Sequence, residues 1–310
     1  MATVLITGGT GMVGKFVTQL LLQQGYRVIV LTRKIPVITT PGIQYALWNV
    51  ATQTIDATAV QQADYIIHLA GEGVADKRWT EKRKKEIIES RTQSSALLIK
   101  TLQQTPHHVK AFISAAAQGW YGADPQPPTA FSGFAEAMPA ATDFLGSTCQ
   151  QWEDSVAAVT TLGIRLVKLR IGIVLSNTGG ALAAFTKPLR TGVAAILSSG
   201  QQIISWITID DVSRMFLYAI ENTAMNGAYN AAAPHPVSNK VLTLALAQQV
   251  RGRFYIPIHV PAWVLKLVVG EMSIEVLKSV TMNVKKIQDA GFKFAYPTIE
   301  AALNKLVPRA

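Results

Sequence analysis

Cysteine is almost missing from this chain: among 310 residues there is one, Cys149. A single thiol excludes an internal disulfide and any metal site built from several cysteines. It suits a reducing cytoplasm, the compartment expected here, and no metal site is expected. Long apolar runs are missing too. The two longest lie around residues 162–175 and 260–269. Arg165, Lys168 and Arg170 break the first and Lys266 the second, so neither reads as a membrane span. No membrane association is expected. The chain opens on a strand pattern, without the basic, apolar and cleavage regions of a secretory leader. Carboxylates are in deficit, 19 against 29 Lys and Arg, which leaves a net charge of +10. That surplus raises the question of nucleic acid. The densest basic run, residues 77–85, is threaded with acids that continue through Glu86 and Glu89. It reads as a solvated helix face with i,i+4 pairs. Nucleic acid is therefore not expected as a partner, and the positive balance suits attraction of an anionic cofactor.

What is present is a globular composition, 49% hydrophobic and 15% charged, in a chain long enough for one large or two smaller domains. The informative stretch comes first. Thr3–Thr7 is a short β-branched apolar run that ends in Gly8, Gly9, Thr10, Gly11, Met12, Val13 and Gly14, and an amphipathic segment follows at once. The order is strand, tight turn, helix. In a dinucleotide site one glycine permits the turn, one lets the backbone approach a pyrophosphate, and one lets helix and strand pack closely. The free N–H groups and positive dipole end of the helix then face phosphate.

A second strand, Tyr26–Leu31, ends in Thr32-Arg33-Lys34. A fold that selects NAD usually carries a carboxylate about 20 residues past the glycines, to bind the ribose hydroxyls. Two cations and a hydroxyl suit a 2′-phosphate instead, so NADP(H) is the preferred cofactor and NAD(H) the alternative. Asp64–Ala70 is a nearly continuous apolar strand, as expected where helices cover both sheet faces. It ends at Leu69, Ala70 and Gly71, a second close approach of backbone to cofactor. His68, inside this strand, reads as a core histidine. The basic helix then runs through Glu89-Ser90-Arg91 toward Leu102. Val109–Ser114 forms another strand and Asp124–Pro128 a Pro-rich loop. A helix near residues 142–159, a strand at Ile164–Arg170 and an apolar strand Ile203–Ile209 ending in Asp210-Asp211 continue the pattern. The expected fold is α/β, a Rossmann-like doubly wound parallel sheet with a smaller C-terminal substrate lobe. Residues 1–171 form the nucleotide lobe, with residues 203–232 returning to it, and residues 172–310 form most of the smaller lobe.

On these residues the chain resembles the extended short-chain dehydrogenase/reductases. The match runs through Thr7–Gly14, His68-Leu69-Ala70-Gly71, Tyr121-Gly122 and Trp206-Ile207-Thr208-Ile209-Asp210-Asp211. More narrowly it looks like an atypical branch of epimerase-family proteins, sometimes described as cell-division-inhibitor homologues. Arg78-Trp79-Thr80, Ser90-Arg91, Cys149–Glu153, Pro234–Val237 and Gly270-Glu271-Met272 carry that likeness. A C-terminal segment at residues 255–306 is similar to the one that marks the branch. The resemblance implies a nicotinamide cofactor and a small polar substrate of unknown identity.

The wider family works with a Tyr-x-x-x-Lys pair and a nearby serine, in which the tyrosine exchanges a proton with the substrate oxygen. No Tyr-x-x-x-Lys occurs in this chain, and the register puts Leu145 and Cys149 at the two positions. Alanines 115 to 117 stand where the serine is expected, and Ser114 is the nearest hydroxyl. Tyr121 and Ser114 are thus the remaining catalytic candidates. Glu72, Arg78, Trp120 and Trp206 are candidates for the substrate cleft, and Arg91 for charge beside the cofactor. Thr208 stands where relatives carry histidine. Two readings follow: an atypical oxidoreductase or epimerase, or a non-enzymatic NADP(H)-binding regulator with a protein partner. A homodimer suits either.

Overall fold

The computed structural model describes residues 1–125 and 131–308, so the Pro-rich loop expected at Asp124–Pro128 lies partly outside the described residues. The strands, in chain order, begin with β1 (Thr3–Thr7), β2 (Arg27–Thr32), β3 (Ile43–Asn49), β4 (Thr54–Ile55), β5 (Tyr65–His68), β6 (Ala111–Ala117) and β7 (Arg165–Ile171). They continue with β8 (Ile173–Ser176), β9 (Val193–Leu197), β10 (Ile203–Ile204), β11 (Trp206–Thr208), β12 (Gly227–Ala231), β13 (Val237–Ser238) and β14 (Ile256–Val260). The helices are α1 (Met12–Gln23), α2 (Ala57–Gln61), α3 (Glu81–Gln104), α4 (Phe144–Ser155), α5 (Gly180–Leu189), α6 (Ile209–Glu221) and α7 (Asn239–Arg251). The C-terminal segment adds α8 (Ala262–Val269), α9 (Ser273–Leu277), α10 (Lys285–Asp289) and α11 (Ile299–Leu306).

Eight strands make the central sheet in the order β12-β7-β6-β5-β1-β2-β3-β4, and every pairing in it is parallel except β3 with β4. Side chains alternate faces along a strand, and here both faces are buried. Val4 and Ile6 enter one core with Val17 and Leu21 of α1, while Leu5 enters the other with Leu97 and Leu98 of α3. Each such aliphatic side chain contributes roughly 1.5–3 kcal/mol on burial. That explains the unbroken apolar run at the start of the chain. The sheet reads outward in both directions from β1 and β5. In a sheet of this kind ligands bind at the strand ends where the order reverses, so the crevice lies between the C-terminal ends of these two strands.

The segment expected as one strand, Ile203–Ile209, is different. β10 and β11 are short, and α6 begins at Ile209, with Asp210 and Asp211 in its first turn. The Thr208 hydroxyl accepts the Asp211 N–H and caps that helix. The Asp211 carboxylate in turn accepts the N–H groups of Ala295 and Tyr296 at 2.9 Å, which holds the C-terminal segment against α6.

Candidate functional site

The crevice begins with the turn after β1. Gly8 has φ +68°, and a Cβ there would lie 2.8 Å from the Leu69 carbonyl carbon. A Cβ on Gly14 would lie 2.2 Å from the Gly8 oxygen, so only glycine lets α1 start this close to the strand. Gly11 differs. Its φ of −73° suits any residue, it is exposed, and a Cβ there would meet only the Gly8 oxygen, at 3.2 Å. That open space above the start of α1 is where a side chain would fill a phosphate cradle. The first N–H groups of a helix have no carbonyl of a preceding turn to reach, and no side chain caps α1.

Thr7 ties the two central strand ends together. Its hydroxyl accepts the N–H groups of Leu69 and Ala70 at 3.1 and 3.2 Å, so its own proton goes to His68 Nδ1, 2.7 Å away. The Nε2 proton of His68 then points to Ser95, 3.1 Å away. Burial, reinforced by the charge of Arg91, pulls the His68 pKa down to about 3, so the ring is neutral. It is a structural histidine beneath the crevice.

At the end of β2 the Thr32 hydroxyl donates to the Lys34 carbonyl at 2.9 Å and shapes the turn. Arg33 and Lys34 are exposed. Arg33 lines a cleft of about 490 Å³ with Tyr45, Trp48 and Asn49 of β3. On the other side of the crevice Arg91 lies against Gly71: a Cβ on that glycine would be 3.2 Å from the guanidinium carbon. Arg91 stacks over the Trp152 ring at 4.8 Å and donates to the Ile87 carbonyl. Burial holds its guanidinium below the usual arginine range.

The region beyond β6 is arranged otherwise. Tyr121 is fully buried and stacked on Phe134. Its hydroxyl donates to Asn230 at 2.8 Å and accepts from Arg170 at 3.0 Å. Arg170 also forms a two-point pair with Glu153, at 2.7 and 3.1 Å, and Lys168 reaches the same carboxylate at 2.9 Å. The Arg170 guanidinium lies 3.7 Å from the centre of the Trp120 ring. Leu145 and Cys149 of α4 face Gly119, within 3.3 Å of where its Cβ would be. Burial pushes the Cys149 thiol up to about 12, which rules out a thiolate nucleophile.

Residues 4–232 match the model of the NAD dependent epimerase/dehydratase family. The chain belongs to that family. Residues 260–306 match a second model, a domain of unknown function that accounts for the C-terminal segment. Among curated relatives, an epimerase family protein of Staphylococcus saprophyticus is 34% identical over 305 residues, 98% of each chain. One of Staphylococcus aureus is 33% identical over 310 residues, the full length of both. Among solved structures, a human epimerase family protein with NADPH superposes with a TM-score of 0.85 at 27% identity, covering 99% of this chain and 100% of that one. A nucleoside-diphosphate sugar epimerase of Corynebacterium glutamicum gives 0.77 at 29% identity, with 99% of this chain covering 58% of that one. The Rossmann-like parallel sheet and the resemblance to extended short-chain dehydrogenase/reductases are thereby shown.

Within this family member three site expectations need correction. Tyr121 is not placed as an open acid–base group: its hydroxyl is enclosed and has both a donor and an acceptor partner, and burial raises its pKa. Ser114 lies three residues below the C-terminal end of β6, in the row with Thr7, His68 and Lys168, and donates to the Ala115 carbonyl. It is buried at the level of the β1 and β5 ends, with its hydroxyl proton committed to backbone. Trp206 is core, fully buried with its indole N–H on the His235 carbonyl, and forms no cleft wall. Of the other cleft candidates, Glu72 is paired with Arg83 at 3.2 Å, and Arg78 donates to the Leu267 carbonyl. Trp120 is half-buried, with its indole N–H on the Met138 carbonyl.

Several organising residues escaped sequence reasoning. Arg170, Glu153 and Asn230 come from three separate elements. Asp124 is buried and accepts from Ser279 and from the N–H and hydroxyl of Thr281, which fixes the C-terminal segment beside the turn after β6. No local pattern marks such contacts, because the partners are more than 150 residues apart.

Proposed function

We propose that the chain binds NADP(H) in the crevice between β1 and β5 and acts as an atypical epimerase-like oxidoreductase on a small polar molecule. The observation that carries this reading is the open cradle at Gly11 above the start of α1, on the same sheet edge as the exposed cations after β2. The backbone N–H groups at the start of α1 would hold the pyrophosphate, and Arg33 with Lys34 the 2′-phosphate. Arg91 and Gly71 would flank the cofactor on the β5 side. The NADPH in the human relative supports this preference. Relatives named as epimerase family proteins favour an enzyme-like role and lend nothing to the regulator reading.

When bound, a nicotinamide supplies or accepts hydride. This chain's own residues contribute orientation through the backbone cradle and electrostatics through Arg91. With Leu145 and Cys149 in place of a Tyr-x-x-x-Lys pair, the proton on the substrate oxygen must be handled by substrate or solvent. Turnover of ordinary sugar-nucleotide substrates is therefore expected to fall by about 10²–10⁴-fold relative to family members that carry the pair. Parallel titrations with NADPH and NADH test the cofactor reading. Arg33→Ala should weaken NADPH binding by roughly tenfold to a hundredfold, the size of one or two charge-assisted hydrogen bonds, with little change for NADH. Equal losses for both would overturn the preference.

A further inference from the structure

Between Asp154 and Asp210, and again between Glu221 and Glu271, the sequence contains no carboxylate. The parts of these stretches that build the smaller lobe, residues 172–209 and 233–270, fold against each other. β9 pairs in parallel with β14, and α5 and α7 pack on β9. Arg251 of α7 donates to the carbonyls of Leu189 and Arg190. The charged side chains in these parts are Lys187, Arg190, Lys240, Arg251, Arg253 and Lys266, all cations.

The same region exposes a run of apolar side chains. β14 pairs with β9 alone among the described residues and passes through Pro261 into α8. Ile256 and Ile258 alternate along the strand and share one side of it, and Phe254 (87% exposed) stands just before it. Trp263 (66% exposed) and Leu267 (67%) are neighbours at i,i+4 on α8, with Val268 beside them. Scattered apolar residues on a surface are ordinary, but this many large ones exposed within 15 residues, with Arg253 and Lys266 among them, mark an interaction site.

We propose that this strip is a docking surface for an anionic phospholipid bilayer, on which the protein lies without crossing it. Aromatic residues settle at headgroup level and aliphatic ones just below, while the cations of residues 233–270, a stretch with no carboxylate of its own, are drawn to anionic lipid. A second copy of the chain fits the charge poorly. A two-fold interface through this face would set its cations against themselves, and like charges across an interface are costly. The expectation of no membrane association rested on the length of apolar runs, which decides spanning only. No helix among the described residues is long and apolar enough to cross a membrane. The C-terminal end of α8 and the turn after it also meet the loop after β5 and the start of α3, through Arg78 on the Leu267 carbonyl and Lys84 paired with Glu271 at 2.8 Å. A docked bilayer would therefore lie beside the crevice.

Co-sedimentation of the full chain with vesicles tests the proposal. The chain should pellet with phosphatidylcholine vesicles carrying about 30 mol% phosphatidylglycerol and stay in solution with phosphatidylcholine alone. Arg253→Gln with Lys266→Gln should lower the partition coefficient about 25-fold, at roughly a fivefold loss per cation. Phe254→Ser with Trp263→Ser should abolish pelleting while the melting temperature holds, since both side chains face water. Three results would overturn the idea. They are no pelleting with the anionic vesicles, pelleting that survives both double variants, or a dimer in light scattering that the Phe254→Ser/Trp263→Ser variant dissociates.

Discussion

The two ends of the crevice are built from different materials. At the glycine end the structure is backbone: a Cβ on Gly8 or Gly14 would fall 2.8 or 2.2 Å from main-chain atoms, and Gly11 stands open. At the Tyr121 end it is side chains, with Glu153, Arg170, Tyr121 and Asn230 bonded into a closed network. A backbone site depends on a few glycines and survives change elsewhere. A side-chain site is lost or converted one substitution at a time. Here the Tyr121 end is a structural centre, in which the tyrosine hydroxyl is held between Asn230 and Arg170.

If that contrast is right, the largest effect comes from breaking the network. Glu153→Ala would leave the buried Arg170 without its carboxylate, which typically costs about 3–5 kcal/mol. Urea unfolding measures it, and Glu153→Gln should recover part of the loss. A cost near zero would mean that the network is incidental.

The glycine end should behave oppositely, with function lost and stability kept. At a concentration 100 times its dissociation constant, NADPH should stabilise the native chain by about 2.7 kcal/mol. Gly11→Val should remove that gain, seen as the thermal shift on adding NADPH, while its own stability changes by less than about 1 kcal/mol. A persisting shift would place the cofactor elsewhere.

His68 supports the crevice from below, and pH reads that role. Its pKa falls from 6.5 to about 3 on folding, chiefly through burial. Between these values the unfolded chain holds a proton that the folded one does not. The contribution is complete above pH 6.5 and is lost as pH falls toward 3, by up to about 1.4 kcal/mol per pH unit. Urea midpoints between pH 7 and pH 5 should show this slope, and His68→Gln should flatten it. An unchanged slope in the variant would show that other groups govern the acid limb.

The smallest effect sharpens the comparison most. Tyr121→Phe keeps the ring and removes a hydroxyl held by Asn230 and Arg170. It should cost about 1–2 kcal/mol of stability and leave NADPH affinity and any turnover unchanged. A large fall in turnover with intact stability would restore the tyrosine as an acid.

Legibility followed the range of the physics. β1, β2, β5 and β7 were visible because each is a compact apolar run between breakers, and the glycine turn because its pattern is complete within seven residues. β3 was missed: Ile43–Asn49 mixes exposed Gln44, Leu47 and Asn49 with buried Ala46 and Trp48, and lies near the sheet edge, where the strand pattern weakens. α6 was missed although its start was written in the chain, with Thr208 as cap and two aspartates in the first turn. The apolar run before it drew the strand reading across the boundary. Glu72 and Arg78 carried a charge signal, but only the fold shows that Arg83 and the Leu267 carbonyl take them up.

By itself the sequence determined the family, the parallel sheet and the glycine turn that opens it. It also determined that no Tyr-x-x-x-Lys pair exists, since these are properties of adjacent residues and of spacing. Tertiary structure alone decided the state of individual groups. Tyr121 became a locked core residue through Asn230, 109 positions away, and Arg170, 49 positions away. Trp206 went inside, while Phe254 and Trp263, no less apolar, stayed outside. Burial and hydrogen-bond partnership belong to packing between distant segments, and residue identity does not encode them.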